Sequence, residues 1–152
     1  MAYIQTPDNV YGNAKVYGGA MVYGNAKVYG NASVYGDAMV YGNAKVSGDA
    51  SVYGNASVYG DADIQSNDDW FSFIYQKKTL TGYRSRNKLG YELNVNGLGV
   101  AIDDLESDAI PFVKSLINKF TPLTNPENEY IEKIISDLEK QLDDAKNKLK
   151  SL

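Results

Sequence analysis

The sequence contains no cysteine and no histidine. Without cysteine there is no disulfide, no thiolate metal site and no cysteine nucleophile, and no redox compartment is indicated. Without histidine the commonest general base and the commonest metal ligand are both missing. No apolar run approaches the ~20 residues that a membrane span needs. The opening MAYIQTPDNV has neither a basic start nor an apolar stretch, so no secretory leader is expected and the expected location is the cytoplasm. Basic residues are also in short supply: the formal net charge is −4, which argues against nucleic-acid binding by the whole surface and leaves room only for a local basic patch. No G-x-x-x-x-G-K-[ST] loop is present, because the glycines recur as turns instead.

What the chain has in abundance is repetition. From residue 4 to 63 a six-residue phrase returns almost unchanged, opening at Ile4, Val10, Val16, Val22, Val28, Val34, Val40, Val46, Val52 and Val58, with Ile64 starting an incomplete phrase. Each phrase has a branched apolar residue first, Gly third, Asn or Asp fourth and Ala fifth; the exceptions are IQTPDN at the start and Gly19 in place of Asn. Six is not a helical period, since an α-helix repeats every ~3.6 residues. It is a multiple of the strand period of two. The first position asks for a buried site on a pleated backbone, and the fifth for a buried site too tight for anything larger than Ala. Gly followed by Asn or Asp is turn chemistry, because both tolerate positive φ and Asx side chains bond their own backbone. A strand and a turn in every phrase coil the chain into a three-sided prism, with three phrases to a coil and residue n stacked on n+18.

This pattern resembles the hexapeptide repeat of left-handed parallel β-helices, in which an aliphatic residue and a small residue four places later point inward. The left hand is implied by that resemblance. The phrase VYGNAKVYGNA (22–32), followed by a small mixed tail, is also similar to prophage-encoded hexapeptide-repeat proteins of unknown function. TLTGYR (79–84) resembles their tails, without the Cys-Gly-Cys segment that follows there. The resemblance implies a phage or prophage origin, a host-cell cytoplasm, and self-association, since such β-helices are commonly trimers.

After the repeat the period changes. DWFSFIY, TLTGYRS, LGYELNV and LGVAI, within residues 69–102, are short, aromatic and β-branched, and read as an antiparallel meander. Ser107 or Asp108 is expected to cap a helix carrying Ile110, Val113, Leu116, Ile117 and Phe120, with Pro111 in its first turn. Asn125-Pro126-Glu127 signals a second helix start. That helix places Ile131, Ile135, Leu138, Leu142, Ala145, Leu149 and Leu152 at steps of four and three, a heptad seam that suits either a coiled coil or packing on the meander. The expected fold is thus mostly β: a short left-handed parallel β-helix of about three coils (residues 1–66), then a small α+β domain with C-terminal helices (67–152).

Hexapeptide β-helices are best known as acyltransferases, and those resemble one another in using a histidine to deprotonate the acceptor. With none here, and with Asp37, Asp49 and Asp61 at the turn position where Asx is structural, no enzyme, cofactor or metal is expected. Binding is the alternative. Tyr at position two points outward and stacks in ladders, Tyr17-Tyr35-Tyr53, Tyr23-Tyr41-Tyr59 and Tyr11-Tyr29-Ser47. Position six gives Lys to two faces and Met21, Met39 and Ser57 to the third. Met21, Tyr23, Met39, Tyr41 and Tyr59 therefore share an uncharged face, read as a contact between copies in a dimer or trimer, with Leu138, Leu142 and Leu149 adding a second contact. The segment 76–88 holds Lys77, Lys78, Arg84, Arg86 and Lys88 and no acid, interleaved with Tyr83. It is read as a patch for a nucleotide, another anion or an acidic host protein, against the plainer reading of a basic solvent face that protects an edge strand. The expected function is a non-enzymatic, self-associating binding protein, and the resemblance adds counter-defence against a host immune component as its natural role. The alternative is a structural or scaffold component built from stacked prisms.

Overall fold

The computed structural model describes residues 1–120 and 126–151, and the side chains of these apart from 126–130. The repeat forms two-residue strands: β1 (Tyr3–Ile4), β2 (Lys15–Val16), β3 (Met21–Val22), β4 (Lys27–Val28), β5 (Ser33–Val34), β6 (Met39–Val40), β7 (Lys45–Val46), β8 (Ser51–Val52), β9 (Ser57–Val58) and β10 (Asp63–Ile64). They stack into three parallel sheets, β1-β3-β6-β9, β2-β5-β8 and β4-β7-β10. Lys15 pairs with Ser33 and Ser33 with Ser51, so a coil takes 18 residues and the chain makes a parallel β-solenoid of about three coils. From Ala20 to Ile64 the inward Val, Ile and Ala of every phrase are fully buried. The corner is made by Gly in the left-handed region. At Gly36 φ is +71°, and a Cβ there would stand 3.0 Å from the backbone nitrogen of Gly54 in the next coil. Gly19 breaks the Asx rule because the carboxylate of Asp37 occupies the space a side chain would need.

The first phrase departs from the others for a physical reason. Pro7–Asn9 is a 3-10 turn, and the buried Asn9 Nδ2 donates to Gly24 O at 3.0 Å and to Ala26 O at 2.8 Å. Two carbonyls of the coil above thus find a partner where a regular phrase would offer its backbone.

The opposite end is closed by the meander, β11 (Trp70–Tyr75), β12 (Lys78–Arg84), β13 (Tyr91–Val95) and β14 (Leu98–Gly99), antiparallel in that order. Strand β12 is buried on both faces. Leu80 enters a second core with Leu93, Leu105 and Val113, and the ring of Phe71 lies where a side chain on Gly82 would stand. The alternate residues Thr81, Tyr83 and Ser85, all fully buried, face the last coil. Ser57 N donates to Thr81 Oγ1 (3.4 Å), Tyr59 N donates to the Tyr83 hydroxyl (3.3 Å), and Asn94 Nδ2 donates to Ser57 O (2.8 Å). Ser51 N donates to Asn67 Oδ1 at 2.8 Å, while Ser85 bridges Ala62. An exposed parallel edge invites pairing with another chain, and here it is covered.

Residues 1–121 form one compact unit, so the boundary expected after residue 66 runs inside it, because the meander completes the hydrogen bonding of the last coil. Helix α1 (Ile110–Ile117) carries Pro near its start as expected. Its N-cap is Ala109 with no side-chain bond, so neither Ser107 nor Asp108 caps it; a turn with Ala109 N donating to Glu106 O (2.9 Å) leads in instead. The second unit, residues 122–152, contains α2 (Pro126–Lys150). The expected cap Asn125 and the last seam residue Leu152 lie outside the described residues.

Candidate functional site

The tyrosine ladders form as the stacking rule requires. Tyr11 and Tyr29, Tyr17 and Tyr35, and Tyr23 and Tyr41 lie with ring centroids 5.0–5.1 Å apart and planes within 5°. Stacked rings turn their edges outward, so the ladders present hydroxyl rows rather than flat aromatic platforms. The uncharged face is real but smaller than the sequence implies. Met21 pairs with Met39 and Met39 with Ser57, yet Ser57 is buried beneath the meander, and a Cβ added at Gly97 would stand 3.5 Å from the Tyr41 hydroxyl. Tyr59 meets Tyr83 edge to face at 6.3 Å. Burial, then the neighbouring Tyr59 and Tyr23, push the Tyr41 hydroxyl up to about 12. Below, Tyr3 of β1 pairs beside Met21 and extends the face with an exposed ring.

The structure divides the basic segment expected to hold an anion. Tyr83 is fully buried and its hydroxyl accepts from Tyr59 N. Arg84 pairs with Asp69 at 2.6 Å, with both side chains largely buried. Asp69 Oδ2 in turn accepts from Gln65 N (2.8 Å) and Ser66 N (3.0 Å), so the pair locks the meander to the last coil. Arg86 Nη2 donates to Asn43 O at 2.8 Å. Lys77 and Lys78 are exposed at the β11–β12 turn, and Lys88 is exposed beyond the other end of β12. At ~3.3 Å per residue the strand holds these two groups roughly 20 Å apart. Two of the segment's five cations, Arg84 and Arg86, thus have partners within the fold, and Lys77, Lys78 and Lys88 stay exposed.

The seam of α2 is exposed along its length: Ile131 51%, Ile135 50%, Leu138 58%, Leu142 56% and Leu149 72%. No helix among the described residues is long and apolar enough to cross a membrane. No group of acids among the described residues is arranged to hold a metal ion.

The sequence reading missed a cleft of ≈ 600 Å³ between Tyr59 of the last coil and the β13–β14 side of the meander, lined also by Tyr91, Glu92, Leu93, Ile102 and Asp103. Glu92 is its chemical centre. Burial raises its carboxyl above the ordinary 4.5, moderated by hydrogen bonding from Tyr83 and the Asp61 backbone, while the charge of Asp61 raises it further. Its Oε2 is buried without a hydrogen-bond partner of good geometry. Burial and then Glu92 raise Tyr59 as well. The one signal in the sequence was an acid set between Tyr91 and Leu93 in an otherwise uncharged strand.

A family model described as YdcK Beta solenoid repeat matches residues 32–48, a stretch inside the coils. No curated protein and no solved structure matches the chain. Repeated phrase, coil register and matched stretch agree that this is a β-solenoid repeat protein.

Proposed function

We propose that the protein is a non-enzymatic interaction protein that works as a homo-oligomer, with α2 joining its copies. The observation that carries this is the exposed seam: large aliphatic residues at steps of four and three, each at least half exposed. A stripe of that kind is buried by a second helix in knobs-into-holes packing, and a stripe left wet invites unspecific association. The flanking charges favour a second copy running the opposite way. With Ile131 and Leu138 at one core position of the heptad and Ile135, Leu142 and Leu149 at the other, Glu132, Glu139 and Lys146 fall on one flank. In a parallel pair that flank faces Ile134, Gln141 and Lys148, which offer the acids no cation in register. In an antiparallel pair Leu138 meets Leu142 of the partner copy and Glu132 meets Lys146, twice by symmetry, with Glu139 facing its own copy between those two pairs. The face of Tyr3, Met21, Tyr23 and Met39 supplies a second contact. The phage or prophage origin and the counter-defence role rest on the likeness of the repeat and of TLTGYR to prophage proteins, and they make a host protein the natural foreign partner. A scaffold of prisms stacked end to end is disfavoured, because the meander covers the upper end of the solenoid.

Light scattering at tens of micromolar is expected to give an oligomeric mass for the whole chain. Leu138→Lys with Leu142→Lys should give a monomer with unchanged β-sheet circular dichroism. A monomeric wild type at that concentration would overturn the proposal.

A further inference from the structure

The cover that the meander lays on the last coil stops short of one corner. Each third-position glycine from Gly12 to Gly42 lies under the glycine of the coil above, Gly48 under Gln65 and Gly60 under Glu92. A Cβ at Gly54 would meet nothing within 4 Å. One coil below, Tyr35 N donates to Val52 O at 3.0 Å and Asp37 N to Gly54 O at 2.9 Å. The matching amides of Tyr53 and Asn55 meet no carbonyl above them among the described residues. A cleft of ≈ 480 Å³ opens there, with Tyr53, Gly54 and Asn55 on one side and residues 70–74 on the other. A strand that turns one face to a cleft lines it with every second residue. Five in succession mean that the cleft runs along the edge of β11, the outer strand of its sheet. The pairing shows which groups face it. Thr79 N donates to Asn96 Oδ1 and Thr79 O accepts from Asn96 N, both at 2.8 Å, so the Thr79 backbone turns away from Ile74 opposite it. Ile74, and with it Ser72 and Trp70 at steps of two, therefore point their backbone N–H and C=O groups outward.

Natural sheets blunt such an edge with charge, proline or a covering element, and WFSFIY has neither charge nor proline. None of the residues lining the cleft is charged, so nothing there favours an ion, and an apolar guest would leave the backbone groups unpaired. Donors and acceptors alternating along a strand edge are matched by another extended polypeptide. With ~4.8 Å between strands, ~10 Å between faces and ~3.3 Å along the chain, an extended residue takes roughly 160 Å³, so ≈ 480 Å³ holds about three. The space thus takes a lone strand; β11 of a second copy comes with β12 and the last coil attached. We propose that the β11 edge takes a short, uncharged, extended segment of a partner polypeptide as a further strand of its sheet, lying over Gly54. The site uses nothing of α2 and stands whether or not α2 joins copies.

The test is amide NMR on the whole chain with the blocked pentapeptide acetyl-Thr-Val-Thr-Val-Thr-amide. Saturable shifts of the Ser72 and Ile74 amides are expected at about 1 mM or below, with slower hydrogen exchange of both. Of the two isomers N-methylated at alternate residues, the one that loses the donors facing β11 should bind at least about tenfold more weakly. Ser72→Pro removes an outward N–H, a place where an edge strand tolerates proline, and should weaken the pentapeptide at least about tenfold. Ile74→Lys, at an exposed position, sets a charge on the edge and should do the same even if Ser72→Pro folds poorly. No saturation up to about 10 mM, or binding by both variants equal to wild type, overturns the proposal. So does protection of the Ser72 and Ile74 amides that rises with protein concentration in the peptide-free chain, which would give the edge to a second copy.

Discussion

Between coils of the solenoid, backbone meets backbone in one repeated register; Lys15 N donates to Ala32 O and Ser33 N to Ala50 O, both at 2.9 Å. At the C-terminal end the same kinds of group meet side chains that occur once, those of Thr81, Tyr83, Asn94 and Asn67. The repeated region spreads its stability over many equal bonds and many small inward residues. The closing sheet concentrates it in a few buried polar groups, where each missing partner leaves a costly orphan. The contrast predicts that exposed changes in the coils are mild, that inward changes are severe, and that single polar changes in the closing sheet behave like core mutations.

The largest effect is expected where charge is buried. Arg84→Glu sets a second carboxylate beside Asp69 with no cation between them, a loss of about 3–5 kcal/mol. Lys77→Glu with Lys78→Glu, on the exposed turn of the same hairpin, should stay within about ±0.5 kcal/mol. Urea melts of the two variants measure the contrast, and coincident midpoints would mean that the Asp69–Arg84 pair does not secure the cap.

The next effect belongs to the coils. Ala32 is fully buried in the column that holds Ala14 and Ala50, and Ala32→Leu should cost about 1–3 kcal/mol or more through overpacking. A thermal melt unchanged from wild type would show that this column has room to spare.

A smaller difference separates two asparagines. Asn94→Ala leaves the Ser57 carbonyl without its donor, and Gly97 N, which donates to Asn94 Oδ1 at 3.0 Å, without its acceptor. The expected cost is about 1–3 kcal/mol. Asn31 bridges Asn13 and Asp49 in an exposed ladder, so Asn31→Ala should cost within about 0.5 kcal/mol. Native-state hydrogen exchange reads this directly: Asn94→Ala should speed exchange in β9, and Asn31→Ala should leave it protected.

The mildest test is pH. Glu92 holds its proton in the folded chain at a pH where the unfolded chain has released it. Its contribution to stability is therefore fully present below about 4.5, the ordinary value, and is lost as pH rises through the raised folded value. Glu92→Gln should flatten that slope. Tyr41 behaves alike in the alkaline range, with its contribution present below pH 10.0 and lost as pH rises through about 12. Chemical melts across both windows check the signs, and stability that rose with pH through the first window would reassign Glu92.

Legibility followed the same division. The prism, its 18-residue coil, the inward Val and Ala, the Tyr ladders and the four-stranded meander were all readable, since each is a local pattern repeated or bounded by turn residues. The odd phrase IQTPDN was visible as an exception, but its meaning lay in carbonyls that the next coil brings to Asn9. Arg84 and Arg86 looked like surface charge because their partners, Asp69 and the Asn43 carbonyl, are 15 and 43 residues away in the chain. Glu92 drew no notice for the same reason: its surroundings come from Tyr59 and Asp61 of the last coil.

By itself the sequence determined the solenoid, because a six-residue phrase repeats the same demands at every coil and neighbouring copies of the phrase can only satisfy one another. It also determined the apolar seam of α2, a pattern carried by one helix alone. The tertiary structure decided which polar residues are spent and which are free. Burial on both faces turned the basic strand into a cap, and the meeting of β13 with the last coil left one carboxylate oxygen without a partner, because those contacts join residues that occur once and lie far apart in the chain.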